Sequence, residues 1–536
     1  MTTDGTILAA AADSTVTVGG LFELLGLVVV VAAVAALSRR VPVAGPILCV
    51  LVGVALSYVP GVPDYRIDPN VVLLLFLPPL LYSAAWRTSN RSLRANLRPI
   101  ALLSVGLVLF TTLVVGLVAW AVVPGLPLAA AFALGAIVAP PDAVAATAVA
   151  RRTGLPRRVV SILEGESLVN DATALTTLRV AIAAVAGSVT VVDFAGEFVL
   201  AAAGGAAIGL ATAWVAAQLH RRNDEPVIDV VLTLLTPFTS YLLAEAVHAS
   251  GVVAVVSTGL WLSTRWYRTF SAATRTLADP LWTVIDFVLT GIVFVLIGLE
   301  LPAILDGIRG LPLGTVAGAA VAVTLAVVLS RPLWVFPATY LARLVPRVRR
   351  RDPAPPWQSP AVLSWAGMRG VVSLAAALAY LPGVPQGELL TFITFVVVVA
   401  TLVGQGLTLP WVIRRLALPG PSATEDALQE AAVQHEAAEA AVKRLDALVA
   451  GDGEVPPEVV ERLRDKAEIR GLFAWERLGS QDRELPSHAY RRLRREMLAV
   501  ERAVFLRARD EGRIDEEVVV EIMRELDTEE LLLSRD

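Results

Sequence analysis

The chain has 536 residues, 56% of them hydrophobic and 18% charged, with 45 Lys and Arg against 49 Asp and Glu for a net charge of −4. So apolar a composition excludes an ordinary soluble domain, and the single cysteine, Cys49, excludes an intramolecular disulfide. No His/Cys cluster suggests a transition metal and nothing in residues 421–536 resembles a nucleotide-binding loop; neither a cofactor nor a nucleic-acid partner is expected.

Residues 1–17 carry Asp4 and Asp13 but no Lys or Arg, which reads as a short external tail rather than a cleaved signal. From Val18 to Leu416 the chain is a series of apolar runs near 20 residues long, the length that crosses about 30 Å of hydrocarbon. Hydropathy places them at 18–38, 41–59, 69–86, 98–121, 128–150, 157–186, 194–218, 227–248, 251–264, 281–302, 314–341, 358–380 and 387–416, about thirteen crossings. Alternate connections are basic. They carry Arg39 and Arg40, then Arg87 to Arg98, Arg151 to Arg158, Arg221 and Arg222, Arg265 to Arg275, and Arg343 to Arg351; the others hold little beyond Arg66 and Arg309. Short basic loops stay in the cytoplasm, so the N-terminus is expected outside and the C-terminus inside. After Pro419 the composition changes to Ala, Glu, Arg and Leu. Residues 421–536 read as a cytoplasmic helical domain with amphipathic stretches at Glu425 to Leu448 and Ser487 to Arg509.

Ionisable groups inside spans cost about 2.5–3.5 kcal/mol each at mid-membrane, so they point to function. In the fifth span, Ala139-Pro140-Pro141-Asp142 removes two backbone donors in mid-helix and places a carboxylate directly after the break. In the sixth, Glu164-Gly165-Glu166-Ser167-Leu168-Val169-Asn170-Asp171 sets Glu166 and Asn170 on one helix face, with Ser167 and Asp171 on the adjacent one. Such an oxygen cluster suits a small hard cation, and a carboxylate there binds either that cation or a proton. Arg331 and Arg369 lie within later spans. A buried arginine needs a partner, and Glu166 is expected to pair with one of them, Arg331 by preference. Arg179 reads as structural, while Glu245 and Asp286 sit in apolar surroundings without an assigned role. If the seventh span is a linker, two six-span halves of opposite orientation remain. The Pro140-Pro141 break then corresponds to a break at Gly367 to Gly370, and paired breaks in inverted repeats mark a transporter's binding site.

Together, Phe76-Leu77-Pro78-Pro79-Leu80-Leu81, Ala139-Pro140-Pro141-Asp142, Glu164 to Asp171 and Gly367-Met368-Arg369-Gly370 resemble the sodium/proton exchangers of the NhaP-like cation–proton antiporters, over roughly residues 20–416. The resemblance implies a homodimer of thirteen-span protomers, all-helical, with broken crossing helices around a site exposed alternately to the two sides. It implies that Asp171 binds the cation, Na⁺, and the proton, with Asp142, Ser167, Asn170 and the backbone at Pro141 contributing, and that Glu166 forms a structural ion pair with an arginine. The Asn170-Asp171 pair goes with electroneutral one-for-one exchange in that family. One departure is Ser83, where many members carry an acidic residue, so a third-span ligand is expected to be missing. The function expected is Na⁺/H⁺ antiport in the plasma (inner) membrane. K⁺ or Li⁺ exchange stays open, an uncoupled cation channel and an intramembrane enzyme are the competing classes, and the paired breaks and absent nucleophile argue against both.

Overall fold

The computed structural model describes residues 18–534 except 42, 61, 63–71, 143, 145, 148, 150–152, 188–190, 345, 347–349, 351, 419, 421–422, 452–454 and 477–485. The tail expected over 1–17 and the loop residues Arg66, Arg151, Arg152, Arg347, Arg349 and Arg351 therefore lie outside the described residues. The chain divides into two compact units, before and after Gly420.

Among the described residues, the regular secondary structure of the first unit is all helical. Its principal helices are α1 (Val18–Ser38), α2 (Gly45–Leu56), α3 (Leu77–Arg87), α4 (Val108–Val122), α5 (Leu128–Val138), α6 (Arg157–Ala186), α7 (Val191–Arg222), α8 (Pro226–Ala246), α9 (Gly251–Ser263), α10 (Ala272–Leu299), α11 (Leu313–Tyr340), α12 (Gln358–Trp365), α13 (Val371–Tyr380) and α14 (Gly387–Val399), the last continued by α15 (Gly406–Leu416). Among the described residues, seven helical stretches are long and apolar enough to cross a membrane, and six shorter apolar helices accompany them. Local chemistry sets several starts. Ser250 accepts a hydrogen bond from the Val253 amide (3.3 Å) and Ser271 from that of Thr274 (3.0 Å), so each hydroxyl satisfies an amide the helix leaves open. The Ser271 cap lets α10 begin at Ala272, nine residues before the run at 281 that hydropathy alone detects.

Leu, Phe and Trp side chains such as Phe22, Leu74, Trp214, Leu242, Leu333 and Trp411 point outward, the apolar surface a lipid-facing helix requires. Inside, one cluster gathers Val50, Leu107, Phe294 and Met368, a second Leu134, Ile137, Val323 and Ile393, and a third Tyr82, Leu262 and Trp282. Cys49 is buried in the first. Helices α2 and α10 pack backbone to backbone at Gly53 and Gly298: a Cβ on Gly53 would overlap the Val295 carbonyl, and one on Gly298 the Val50 carbonyl.

Among its described residues the second unit contains four helices, α16 (Ala423–Gly451), α17 (Pro457–Glu476), α18 (Pro486–Asp510) and α19 (Glu516–Ser534). α18 and α19 pair through Leu498, Leu526 and Leu533, with Phe505, Ile522 and Met523 alongside. Arg494–Glu529 (2.7 Å) and Arg502–Glu530 (2.7 Å) flank that seam.

Candidate functional site

The site is built at two helix breaks that face each other. In an unbroken helix the Asp142 amide would bond the Val138 carbonyl. Pro140 and Pro141 end α5 at Val138, and the Asp142 amide instead donates to the Met368 carbonyl (2.7 Å) in the second break, between α12 and α13. The vacated Val138 carbonyl accepts from Arg369 Nε (2.8 Å), and Arg369 Nη1 donates to the Gly367 carbonyl. The Arg369 amide donates to Thr401 Oγ1 (3.0 Å), which stands in a π-helical turn, Ala400–Gln405, between α14 and α15. The two interrupted helices are thus joined through their backbone, with one guanidinium bonding the Val138 and Gly367 carbonyls.

α6 runs alongside. Asn170 is wholly buried and its Nδ2 donates to the Pro141 carbonyl (2.7 Å); its Oδ1 has no hydrogen-bond partner among the described residues. Asp171, 8% exposed, and Ser167 face a cavity of ≈ 90 Å³ together with Asp142, Pro140 and Pro141. Asp142 Oδ1 also accepts from the Val144 amide (2.8 Å). The cavity therefore brings Asp142, Ser167, Asp171 and Pro141 together, whereas Asn170 acts from behind by holding the Pro141 carbonyl in place. Two hydroxyls that sequence reasoning missed, Thr290 on α10 and Ser373 on α13, line the same space, and Ser373 Oγ has no hydrogen-bond partner among the described residues. Small hydroxyl residues are common in membrane helices, and only the placement of α13 against α6 makes this one notable.

Glu166 and Arg331 lie one layer away, both 1% exposed, joined by two parallel bonds: Nη1 to Oε1 at 2.6 Å and Nη2 to Oε2 at 2.7 Å. Arg331 Nε donates to the Leu363 carbonyl (2.7 Å) at the end of α12. This planar fork-to-carboxylate geometry ties α6, α11 and α12 together beside the cavity. Arg369, the other arginine considered for Glu166, is occupied by backbone carbonyls.

The third-span face of the cavity is apolar, formed by Leu73, Phe76, Leu77, Leu80, Leu81 and Ala84. Ser83 points elsewhere: its Oγ donates to Asp286 Oδ1 (2.9 Å), and Asp286 is paired with Arg87 (3.2 Å). Arg179 donates to both oxygens of Glu245 (2.9 and 2.8 Å), so the Arg179, Glu245 and Asp286 charges all have partners outside the cavity.

The family described as "sodium/hydrogen exchanger, transmembrane" matches residues 26–415. The chain belongs to the sodium/hydrogen exchanger family. An uncharacterized Na⁺/H⁺ exchanger of Mycobacterium tuberculosis is 37% identical, covering 95% of this chain and 96% of its own length. A sodium, potassium, lithium and rubidium/H⁺ antiporter of Bacillus pumilus is 31% identical over 72% of this chain and 60% of its own. Among solved structures, the sodium proton antiporter MjNhaP1 of Methanocaldococcus jannaschii at pH 8 superimposes with a TM-score of 0.60 at 19% identity, over 74% of this chain and 98% of that one, a likeness of fold.

Proposed function

We propose that this exchanger swaps a monovalent cation, Na⁺, for protons by alternating access across the plasma membrane. The observation that carries the reading is the meeting of Asp142, Ser167 and Asp171 in one cavity where two broken helices cross. Asp171 is the competing group: a proton displaces the cation on the side of high proton activity, and the cation displaces the proton on the other. Asp142, Ser167 and the backbone at Pro141 complete the ligand set, Asn170 positions that backbone, and Glu166 with Arg331 braces the frame. The two breaks, at Pro140-Pro141 after α5 and between α12 and α13, support a two-fold inverted repeat of thirteen spans. The alternation of basic loops supports an external N-terminus and a cytoplasmic 421–536 domain. The family resemblance supports a homodimer.

A second reading, K⁺ or Li⁺ as the cation, is favoured by one feature. The third-span wall offers no carboxylate, so the protein supplies few charged ligands with which to discriminate by size.

The test is proton flux in proteoliposomes on addition of Na⁺, Li⁺ or K⁺. Wild-type protein should give cation-dependent flux that Asp171→Asn loses while remaining folded and inserted. Coupled exchange persisting in that variant would remove Asp171 from the site, and flux independent of protons would make the protein a channel.

A further inference from the structure

A second cavity, ≈ 330 Å³, lies apart from the cation site, where the short helix Leu97–Ala101, the start of α6, the end of α11 and the segment leading into α12 converge. Its ionisable lining is Arg98, Arg158, Arg343 and Asp352, three guanidiniums against one carboxylate. Asp352 is heavily used. It accepts from Arg158 Nη2 (2.8 Å) and Arg343 Nη2 (2.5 Å), and Arg343 is further tied to the Asp352 and Thr339 carbonyls.

Arg98 is different. Its nearest carboxylate oxygen, on Asp352, is 3.9 Å away, and neither Nη1 nor Nη2, both shielded from solvent, has a hydrogen-bond partner among the described residues. A guanidinium presents a planar fork that fits two oxygens of one phosphate or carboxylate, and leaving buried donors of a charged group unmade is costly. The cavity thus holds a surplus of two positive charges and an open fork.

Apart from Thr339 and Ser359 the rest of the wall is apolar, with Leu102, Leu103, Val159, Ile162, Val335 and Leu418 among its residues. Charge at one end and hydrocarbon along the wall is the complement of an amphiphile. The arginines belong to the loops whose basic character marks the cytoplasmic leaflet, where anionic lipids are attracted by such groups.

We propose that this cavity binds a phosphate group, presented by the headgroup of an anionic phospholipid whose chain lies along the Leu102–Ile162 wall, with free inorganic phosphate as the other source of the same chemistry. Arg98 and Arg158 hold the phosphate oxygens, and Asp352 sets the positions of Arg158 and Arg343. The site borders the frame of the cation site without sharing its residues. Leu363, which lines this cavity, supplies the carbonyl held by Arg331, and Ile162 precedes Glu166 by one helical turn.

The experiment uses full-length protein, purified in neutral detergent and stripped of lipid, titrated with phosphatidylglycerol, with phosphatidylcholine and with sodium phosphate. Retained lipid is read by native mass spectrometry and the unfolding midpoint is read in parallel. Phosphatidylglycerol should be retained over phosphatidylcholine and raise the midpoint. Arg98→Gln should weaken retention roughly tenfold, the factor set by losing one charge-assisted fork, while Arg268→Gln, an exposed arginine of the Arg265–Arg275 connection that does not line the cavity, should not. Stabilisation by sodium phosphate alone that Arg98→Gln removes would assign the site to the free ion. If Arg98→Gln does not fold, Arg98→Lys keeps the charge without the fork and should still bind less. Equal retention of the two lipids with no effect of phosphate, or unchanged retention in both Arg98 variants, would overturn the proposal. None of these readouts requires transport, so the outcome stands apart from that of the exchange assay.

Discussion

At the scale of single residues, the polar groups beside the cavity divide into those that touch its space and those that hold its walls, and substitution should separate them. Ser373 lines the cavity and its hydroxyl has no hydrogen-bond partner among the described residues, so Ser373→Ala should raise the cation concentration for half-maximal flux severalfold, about the effect of one neutral ligand, with the unfolding midpoint unmoved. Glu166 does not reach the cavity. Glu166→Gln leaves the buried Arg331 uncompensated, and removing one member of such a pair costs about 3–5 kcal/mol. That loss should appear as lower thermal stability in detergent, and replacing both residues together by apolar ones of similar volume should restore much of it. The α6 side of this division was legible from spacing, since a four-residue interval fixes which side chains share a helix face. The partners were not. Two intramembrane arginines were available to Glu166, and only the packing of α11 against α12 places Arg331 opposite it while Arg369 turns to backbone carbonyls. Ser83 shows the same limit: the missing acid was legible, but not that this side chain faces Asp286 on α10.

At the scale of elements, both breaks were readable because proline and glycine act on the backbone itself, and the chain need not be folded to see that Pro140 and Pro141 donate nothing. The π-helical turn that brings Thr401 to the Arg369 amide was not readable, because no residue type demands it. The glycines of the second break have separable duties. A Cβ on Gly370 would overlap the Asp142 carboxylate, whereas one on Gly367 would meet the Arg331 side chain. Gly370→Ala should therefore impair exchange in a protein of near-normal stability, and Gly367→Ala should lower stability through the Glu166 pair; flux and unfolding midpoint measured on both variants decide this. The Asp352 segment responds to pH instead. Burial opposes its ionisation, but the Arg158 hydrogen bond and the Arg343, Arg158 and Arg98 charges outweigh burial and hold its carboxyl below the usual carboxylate range. A folded value below the unfolded one makes this contribution complete above the unfolded value, about pH 3.9, and lost as pH falls through the folded one. Asp352→Asn should consequently flatten the acid limb of the stability profile below about pH 4 and leave the slope near neutrality unchanged.

At the scale of the whole molecule, the question is whether a transport cycle moves charge. Hydropathy made the membrane unit and its boundary near residue 420 legible, since apolar length and a change of composition need no tertiary information, but charge movement depends on what stands next to Asp171. That neighbour is Asn170, neutral and engaged with the Pro141 carbonyl. If Asp142 keeps one protonation state through the cycle, a site loaded with one proton on Asp171 and a site loaded with one monovalent cation carry the same charge. Both loaded forms then cross alike, and one-for-one exchange transfers nothing across the field. The alternative is easily distinguished, because a cycle moving one elementary charge feels about 2.3 kcal/mol per 100 mV, roughly a fiftyfold change in the gradient it can sustain. Proteoliposomes clamped by a potassium gradient and valinomycin at about 0 and about −100 mV should thus show the same initial rate of Na⁺-driven proton flux and reach the same final pH difference. A final pH difference that follows the imposed potential would mean that a second proton, carried by Asp142, travels with each cycle, and that the two carboxylates of the cavity titrate as a pair.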